Sequence, residues 1–147
     1  MITVIQQDLL TLNCDVIAHQ VNCKGVMGSG LAYQIRKHYP KVYAKYRKAC
    51  ALSDLLGKVQ VISTDNYFVA NLFAQFNFGT TQQHTDYNAL ALCLIKLRDH
   101  MLSNNLTTLG LPYGLGCGLA GGNWNVVSHI IKDVFTPTDI TVYICKK

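Results

Sequence analysis

The sequence predicts an α/β fold, and three observations carry that expectation. Short apolar or alternating runs that read as strands take turns with longer runs of helical spacing, the order that lays helices on the faces of a sheet. Twice a glycine-rich stretch lies between a strand and a helix: Asn22 to Ala32, with three glycines in six residues, and Tyr113 to Gly122, with five in ten. The chain has 147 residues, half of them hydrophobic and 14% charged, which suits one compact domain over residues 1–147 with a full core.

Taken in order, Ile2 to Gln7 alternates like a strand, and Asp8-Leu9-Leu10 leads into a turn or short helix at Thr11 to Asn13. Asp8 sits just past a strand end, where ligand contacts in open α/β sheets gather, and it serves equally as a helix cap. Asp15 to Val21 is apolar on both faces apart from His19 and Gln20, as expected of a central strand covered on both sides. His19 lies within three residues of the first glycine stretch, which leaves both a functional and a hydrogen-bonded structural role open.

Leu31 to His38 reads as a helix stopped or kinked by Pro40. Val42, Tyr43, Tyr46, Ala49 and Cys50 then recur at helical spacing, giving an amphipathic surface helix ended by Leu56-Gly57. Lys58 to Thr64 alternates as a strand, and Asp65-Asn66 turns the chain into Tyr67 to Phe73, its antiparallel neighbour. Gln75 to His84 is polar and aperiodic, hence a loop. Asp86 caps a helix from Tyr87 to Met101 whose Leu90, Leu94, Leu97 and Met101 form a core stripe. Ser103 to Asn105 breaks it before the strand Thr107 to Pro112. After the second glycine stretch, Asn123 caps a helix reaching Phe135, with Trp124, Val127, Ile130, Ile131 and Val134 inward. Asp139 to Cys145 is the last strand.

Strand, glycine turn, helix is an arrangement for holding an anion. Glycine lets backbone approach a ligand closely, and the first helical turn offers unpaired N–H groups at a positive dipole end. The first stretch has neither the glycine order of a dinucleotide fingerprint nor the Lys-Ser/Thr pair of a P-loop, so plain turn chemistry and phosphate binding both remain open. For the two stretches to act together they must face each other across a single cleft.

Six cysteines are scattered without C-x-x-C pairs, which indicates neither a zinc cluster nor a disulfide framework but small buried side chains in a reducing compartment. No apolar run reaches membrane-spanning length and no signal peptide is evident, so a soluble, cytoplasmic protein with no membrane partner is expected. The net charge is +5, and Arg36, Lys37, Lys41, Lys45, Arg47 and Lys48 form a run without a carboxylate. Such a run is a solvated helix face or a surface for nucleic acid.

The residues Ala18-His19-Gln20-Val21-Asn22-Cys23 with Gly25-Val26-Met27-Gly28-Ser29-Gly30-Leu31-Ala32, then Gly116-Cys117-Gly118-Leu119-Ala120-Gly121-Gly122-Asn123-Trp124, and the ending Ile140-Thr141-Val142-Tyr143, resemble a macro domain. The likeness is to the small stand-alone members that process ADP-ribose derivatives. The first stretch is most similar to the yeast-type ADP-ribose-1″-phosphate phosphatase, and the second to the class holding the terminal ADP-ribose glutamate hydrolase. The resemblance implies a three-layer α/β/α fold with a central mixed sheet, and ADP-ribose in a cleft at the carboxyl ends of the strands, with no cofactor and no metal.

On that resemblance Asp8 accepts a hydrogen bond from the adenine amine with the Leu9 N–H nearby, and Asn22 bonds the distal ribose. Gly28, Ser29, Gly30 and Leu31 present N–H groups to one side of the diphosphate while Gly116, Cys117, Gly118 and Leu119 close over the other. Tyr143 or Ile144 packs beside the adenine. The glutamate hydrolase has an Asp where this chain has Ala120, and its attacking Lys falls where this chain has Gln83 or His84, so its lysine chemistry does not carry over. His19 and His84 remain as acid or base candidates. The implied activity is hydrolysis of a substituent on the distal ribose, first that of ADP-ribose-1″-phosphate. The alternatives are a non-catalytic ADP-ribose reader or sequestering protein, and a hydrolase that removes ADP-ribose from protein or nucleic acid.

Overall fold

Among the described residues six strands join one mixed sheet, in the order β1-β6-β5-β2-β4-β3. The computed structural model describes residues 1–52, 54–79 and 81–147; Ser53 and Thr80, the latter in the expected Gln75 to His84 loop, lie outside them. The strands are β1 (Ile2–Gln6), β2 (Val16–Asn22), β3 (Val59–Ser63), β4 (Phe68–Gln75), β5 (Thr108–Pro112) and β6 (Thr141–Lys146). The helices are α1 (Gly30–His38), α2 (Pro40–Cys50), α3 (Tyr87–Ser103) and α4 (Trp124–Phe135). Pairing is parallel except between β3 and β4, the hairpin expected at Asp65-Asn66.

Three layers follow from the alternation of side chains along the strands. Val16 and Ala18 of β2 pack with Leu90, Leu94 and Leu97 of α3 and Val127 and Ile131 of α4. Ile17, between them, faces the other way, with Ile35 of α1 and Val42 of α2. A strand buried on both faces needs apolar residues at successive positions, which is why β2 shows no polar alternation. Each fully buried aliphatic side chain in these layers contributes roughly 1.5–3 kcal/mol.

Several boundaries differ from expectation: β4 runs on through Gln75 and α3 through Ser103, and two more differences concern α2. Pro40 occupies the first turn of α2, where the missing N–H costs nothing, so it opens one helix as it closes another. That second helix ends at Cys50, well before Leu56; Ala49 and Cys50 continue its packing onto the Tyr46–Phe73 cluster, which Leu55 joins from outside the helix.

Gly110 in β5 lets a short 3-10 turn, Leu9–Thr11, lie directly on the sheet. A β-carbon there would come within 2.7 Å of Leu12 Cδ2 and 2.8 Å of Leu9 Cδ1. This close approach seats Asp8 and Leu9 beside the carboxyl ends of β5 and β6. Among the described residues no helix is long and apolar enough to cross a membrane.

Candidate functional site

The two glycine turns face each other across one cleft of about 590 Å³ at the carboxyl ends of the strands. Gly28 to Ala32 line one side, and Pro112 to Gly116 with Gly118 to Ala120 line the other. A second recess of about 430 Å³, lined by Asp8, Leu9, Gln34, Cys145 and Lys146 among others, shares Gly30, Leu31, Pro112 and Tyr113 with it. The two together form a continuous groove.

The first turn is tied down by Asn22. Its Oδ1 accepts from the N–H of Lys24 at 3.0 Å and of Val26 at 3.3 Å, and its Nδ2 donates to the Val26 carbonyl at 2.7 Å. From beneath, the hydroxyl of Tyr46 on α2 donates to Asn22 O at 2.8 Å and Oδ1 at 2.7 Å. Burial raises the Tyr46 phenol, so it remains a donor. With Oδ1 fully engaged, Asn22 keeps one Nδ2 hydrogen for a ligand. Met27 plugs the turn into the core, and the chain then enters α1. Ser29, the residue before that helix, makes no side-chain cap, and among the described residues the first-turn N–H groups of Gly30, Leu31 and Ala32 have no partner at a positive dipole end.

The second turn is held by its carbonyls. Gly116 O accepts from Thr85 Oγ1 at 2.6 Å and from Gly122 N at 2.9 Å, and Gly114 O accepts from Cys117 N at 2.7 Å. Among the described residues the N–H groups of Gly116, Gly118, Leu119 and Ala120 have no partner. Gly116 adopts φ +71°, and a β-carbon there would lie 2.6 Å from Gln20 Oε1, so backbone and Gln20 are in direct contact. Gln20 Nε2 in turn donates to Gln75 Oε1 at 2.8 Å and Thr85 Oγ1 at 2.9 Å.

The expected site residues divide into those that reach the groove and those that support it. Asp8 and Leu9 line the smaller recess. Asp8 both caps the 3-10 turn, accepting from Leu10 N at 3.0 Å, and pairs with Lys147 Nζ at 3.0 Å; the Lys147 ammonium first, and the Leu10 N–H after it, hold its carboxyl below the usual range. Cys117, half-buried, packs against the core with its Sγ 3.3 Å from Leu115 O, has its N–H engaged, and is not among the cleft-lining residues. Tyr143 also packs inward, and Cys145, two residues further on the same face, reaches the recess in its place. Ile144 belongs to the opposite, α3/α4 layer.

His19 lines the cleft but is only 2% exposed. Its Nε2 lies 2.6 Å from Asn71 Oδ1, and Asn71 Nδ2 is committed to Gln60 Oε1 at 3.0 Å. That chain makes Nε2 the protonated nitrogen and leaves Nδ1 a buried acceptor with no partner. Burial pushes the imidazole down to about 4, so it is neutral at pH 7. Gln20 Oε1 is a second buried acceptor without a partner. His84 stands behind the second turn, its N–H donating to Ala120 O at 2.8 Å, and neither it nor Gln83 lines the cleft. Ala120 does line it, and the polar side chain that β4 contributes is Gln75. Among the described residues no group of three His, Cys, Asp or Glu side chains converges as a metal-binding set.

Tyr46, Gln20, Gln75 and Thr85 were not marked by sequence reasoning. The signal for Tyr46 was a phenol within an apolar stripe, since a buried tyrosine hydroxyl needs a partner.

The macro domain family model matches residues 18–131. This chain belongs to the macro domain family. Among its macro domain relatives, the DNA ADP-ribosyl glycohydrolase of Mycobacterium tuberculosis is 31% identical over 92% of this chain, which spans only 39% of that protein's length. The ADP-ribose glycohydrolase OARD1 of Homo sapiens is 30% identical over 97% of this chain and 90% of its own length. The ADP-ribose 1″-phosphate phosphatase of Saccharomyces cerevisiae is 31% identical over 87% of this chain and 88% of its own. The solved macrodomain of Mycobacterium tuberculosis DarG superposes with a TM-score of 0.85 at 26% identity, covering 99% of this chain and 96% of that one.

Proposed function

We propose that this macro domain binds ADP-ribose in the amide-lined groove and hydrolyses a substituent on its distal ribose, with ADP-ribose-1″-phosphate as the substrate. One observation carries the reading: two turns offer unpaired backbone N–H groups to the same cleft from opposite sides. Such neutral dipoles share the two charges of a diphosphate without a metal or arginine. Asp8 and the Leu9 N–H take the adenine at the recess end. At the other end His19 and Gln20 form part of the cleft wall, and the remaining Asn22 Nδ2 hydrogen orients the sugar. His19 stays neutral there. Hydrolysis is supported by the likeness to the phosphatase and glycohydrolase relatives.

A second reading, a reader that binds ADP-ribose without turnover, is favoured by the cleft's own composition. Among the described residues its lining includes no Lys, Asp or Cys, and His19 is a weak base. Incubating the protein with ADP-ribose-1″-phosphate and following inorganic phosphate, alongside calorimetry with ADP-ribose, separates the two. Phosphate release above buffer is expected. Binding without release assigns the reader, and no binding overturns both.

A further inference from the structure

We propose that a strip of surface leaving the larger cleft is a track for single-stranded nucleic acid. It begins at Phe78, which lines the cleft and is 50% exposed, and passes to Phe76, 57% exposed. Lys24 lies over the Phe76 ring, Nζ 4.1 Å from its centroid, and Cys23 N donates to Phe76 O at 3.1 Å, which holds the two segments together. One residue on, Gly25 abuts Arg47, whose Cδ is 3.5 Å from the position of a Gly25 β-carbon. Arg47 donates to Tyr43 Oη at 3.3 Å, and Arg36 sets its guanidinium carbon 4.2 Å from the Tyr43 ring centroid. Two exposed phenylalanines, the half-buried Tyr43 ring and exposed cations therefore follow one another from the cleft lip across α2 to α1.

The charge is one-sided. Between Asp15 and Asp54 the chain carries seven lysines and arginines and no carboxylate. Neither ion pair found among the described residues, Arg98–Asp99 and Lys147–Asp8, involves any of the seven. Cations alone would suit any polyanion. Exposed phenylalanines beside them suit one whose flat apolar faces are free, because unpaired bases stack on aromatic rings while phosphates meet the cations. A duplex keeps its base faces stacked, and an acidic polypeptide offers no such faces. The proposal rests on the ADP-ribose reading in one respect: nucleic acid bearing ADP-ribose would lie on the track with its adduct in the cleft.

The test is fluorescence anisotropy with labelled oligo(dT) and oligo(U) of roughly 20 nucleotides, long enough to exceed a typical single-strand site. Wild-type protein is expected to bind at about 50 mM NaCl; with three phosphates engaged and a slope of about −0.7 per phosphate, a fourfold rise in salt weakens binding on the order of twentyfold. The double variants Lys24→Ala/Phe76→Ala and Arg36→Ala/Arg47→Ala each lose about tenfold or more. Lys132→Ala, an exposed charge on α4, changes binding by less than about twofold. No binding at the lower salt, equal loss in Lys132→Ala, or displacement by duplex DNA or polyglutamate as readily as by single strands overturns the proposal. Because oligo(dT) carries no ADP-ribose, the two readings fail separately. Protein that binds ADP-ribose but not oligonucleotide loses the track and keeps the cleft, and the reverse result loses the cleft and keeps the track.

Discussion

Replacing Tyr46 with Phe removes one oxygen atom from the interior and tests how the first glycine turn is held. The hydroxyl has a single proton, which serves Asn22 O at 2.8 Å and Asn22 Oδ1 at 2.7 Å, in a residue with 0% exposure. The ring itself stays stacked on Phe73, with centroids 5.9 Å apart, so the change opens no cavity larger than that oxygen. Two buried acceptors lose a donor, and the cost is about 1–3 kcal/mol. For a chain of this length that lowers Tm by roughly 5 °C. Asn22 Oδ1 still accepts from Lys24 N and Val26 N, so the turn persists but is less fixed. ADP-ribose affinity should therefore fall about threefold to tenfold, on the order of 1 kcal/mol. Thermal unfolding and titration calorimetry on Tyr46→Phe measure both quantities. A variant that matches the wild type in both would refute the account of Tyr46 as the support beneath the turn.

Three further outcomes are expected. Gly116→Ala places a methyl 2.6 Å from Gln20 Oε1 at φ +71° and displaces Gln20 from Gln75 and Thr85, so ADP-ribose affinity should drop about tenfold or more with the circular dichroism unchanged; undiminished affinity contradicts the role of the second turn. Gly110→Ala crowds Leu9 and Leu12 at under 3 Å and should destabilise the fold by about 1–3 kcal/mol in chemical denaturation, while a neutral effect would show that the 3-10 turn lies less tightly on the sheet. His19 provides the pH dependence. Its folded value of about 4 lies below the unfolded value of about 6.5, so between them the unfolded chain binds more protons and stability rises with pH. The contribution is complete above about pH 6.5 and is lost progressively as pH falls toward 4, on the order of 3 kcal/mol in all. Denaturation at neutral and acid pH should show that slope in the wild type and a flatter one in His19→Gln; identical slopes would contradict it.

Much of this architecture was legible because local pattern and tertiary role coincide. β2 is apolar at successive positions because helices cover both its faces, and Asp65-Asn66 announces a hairpin that the sheet contains. Asp86 and Asn123 are both caps, accepting from Ala89 N and Asn125 N. The two glycine turns were visible as composition, and their meeting across one cleft follows from parallel strands that end at the same edge of the sheet. What spacing does not encode is contact between distant segments. Tyr46 occupies an ordinary position in an apolar stripe, and only folding brings its hydroxyl to Asn22, 24 residues away. Gln20, Gln75 and Thr85 lie in three separate segments and meet only behind the second turn. The resemblance put Tyr143 or Ile144 beside the adenine, but the residues of the last strand that line the smaller recess lie further along it, from Cys145 on.

The claim that the whole account depends on is that peptide N–H groups from both turns grip one ligand. Titrating isotopically labelled protein with ADP-ribose and following its amide nitrogen–proton correlations tests it residue by residue. The signals of Gly28 to Ala32 and of Gly116 and Gly118 to Ala120 should move together and saturate at one equivalent, with those of Lys41 to Lys48 nearly still. Shifts confined to one turn, or concentrated on the basic helix while both turns stay unchanged, would contradict it.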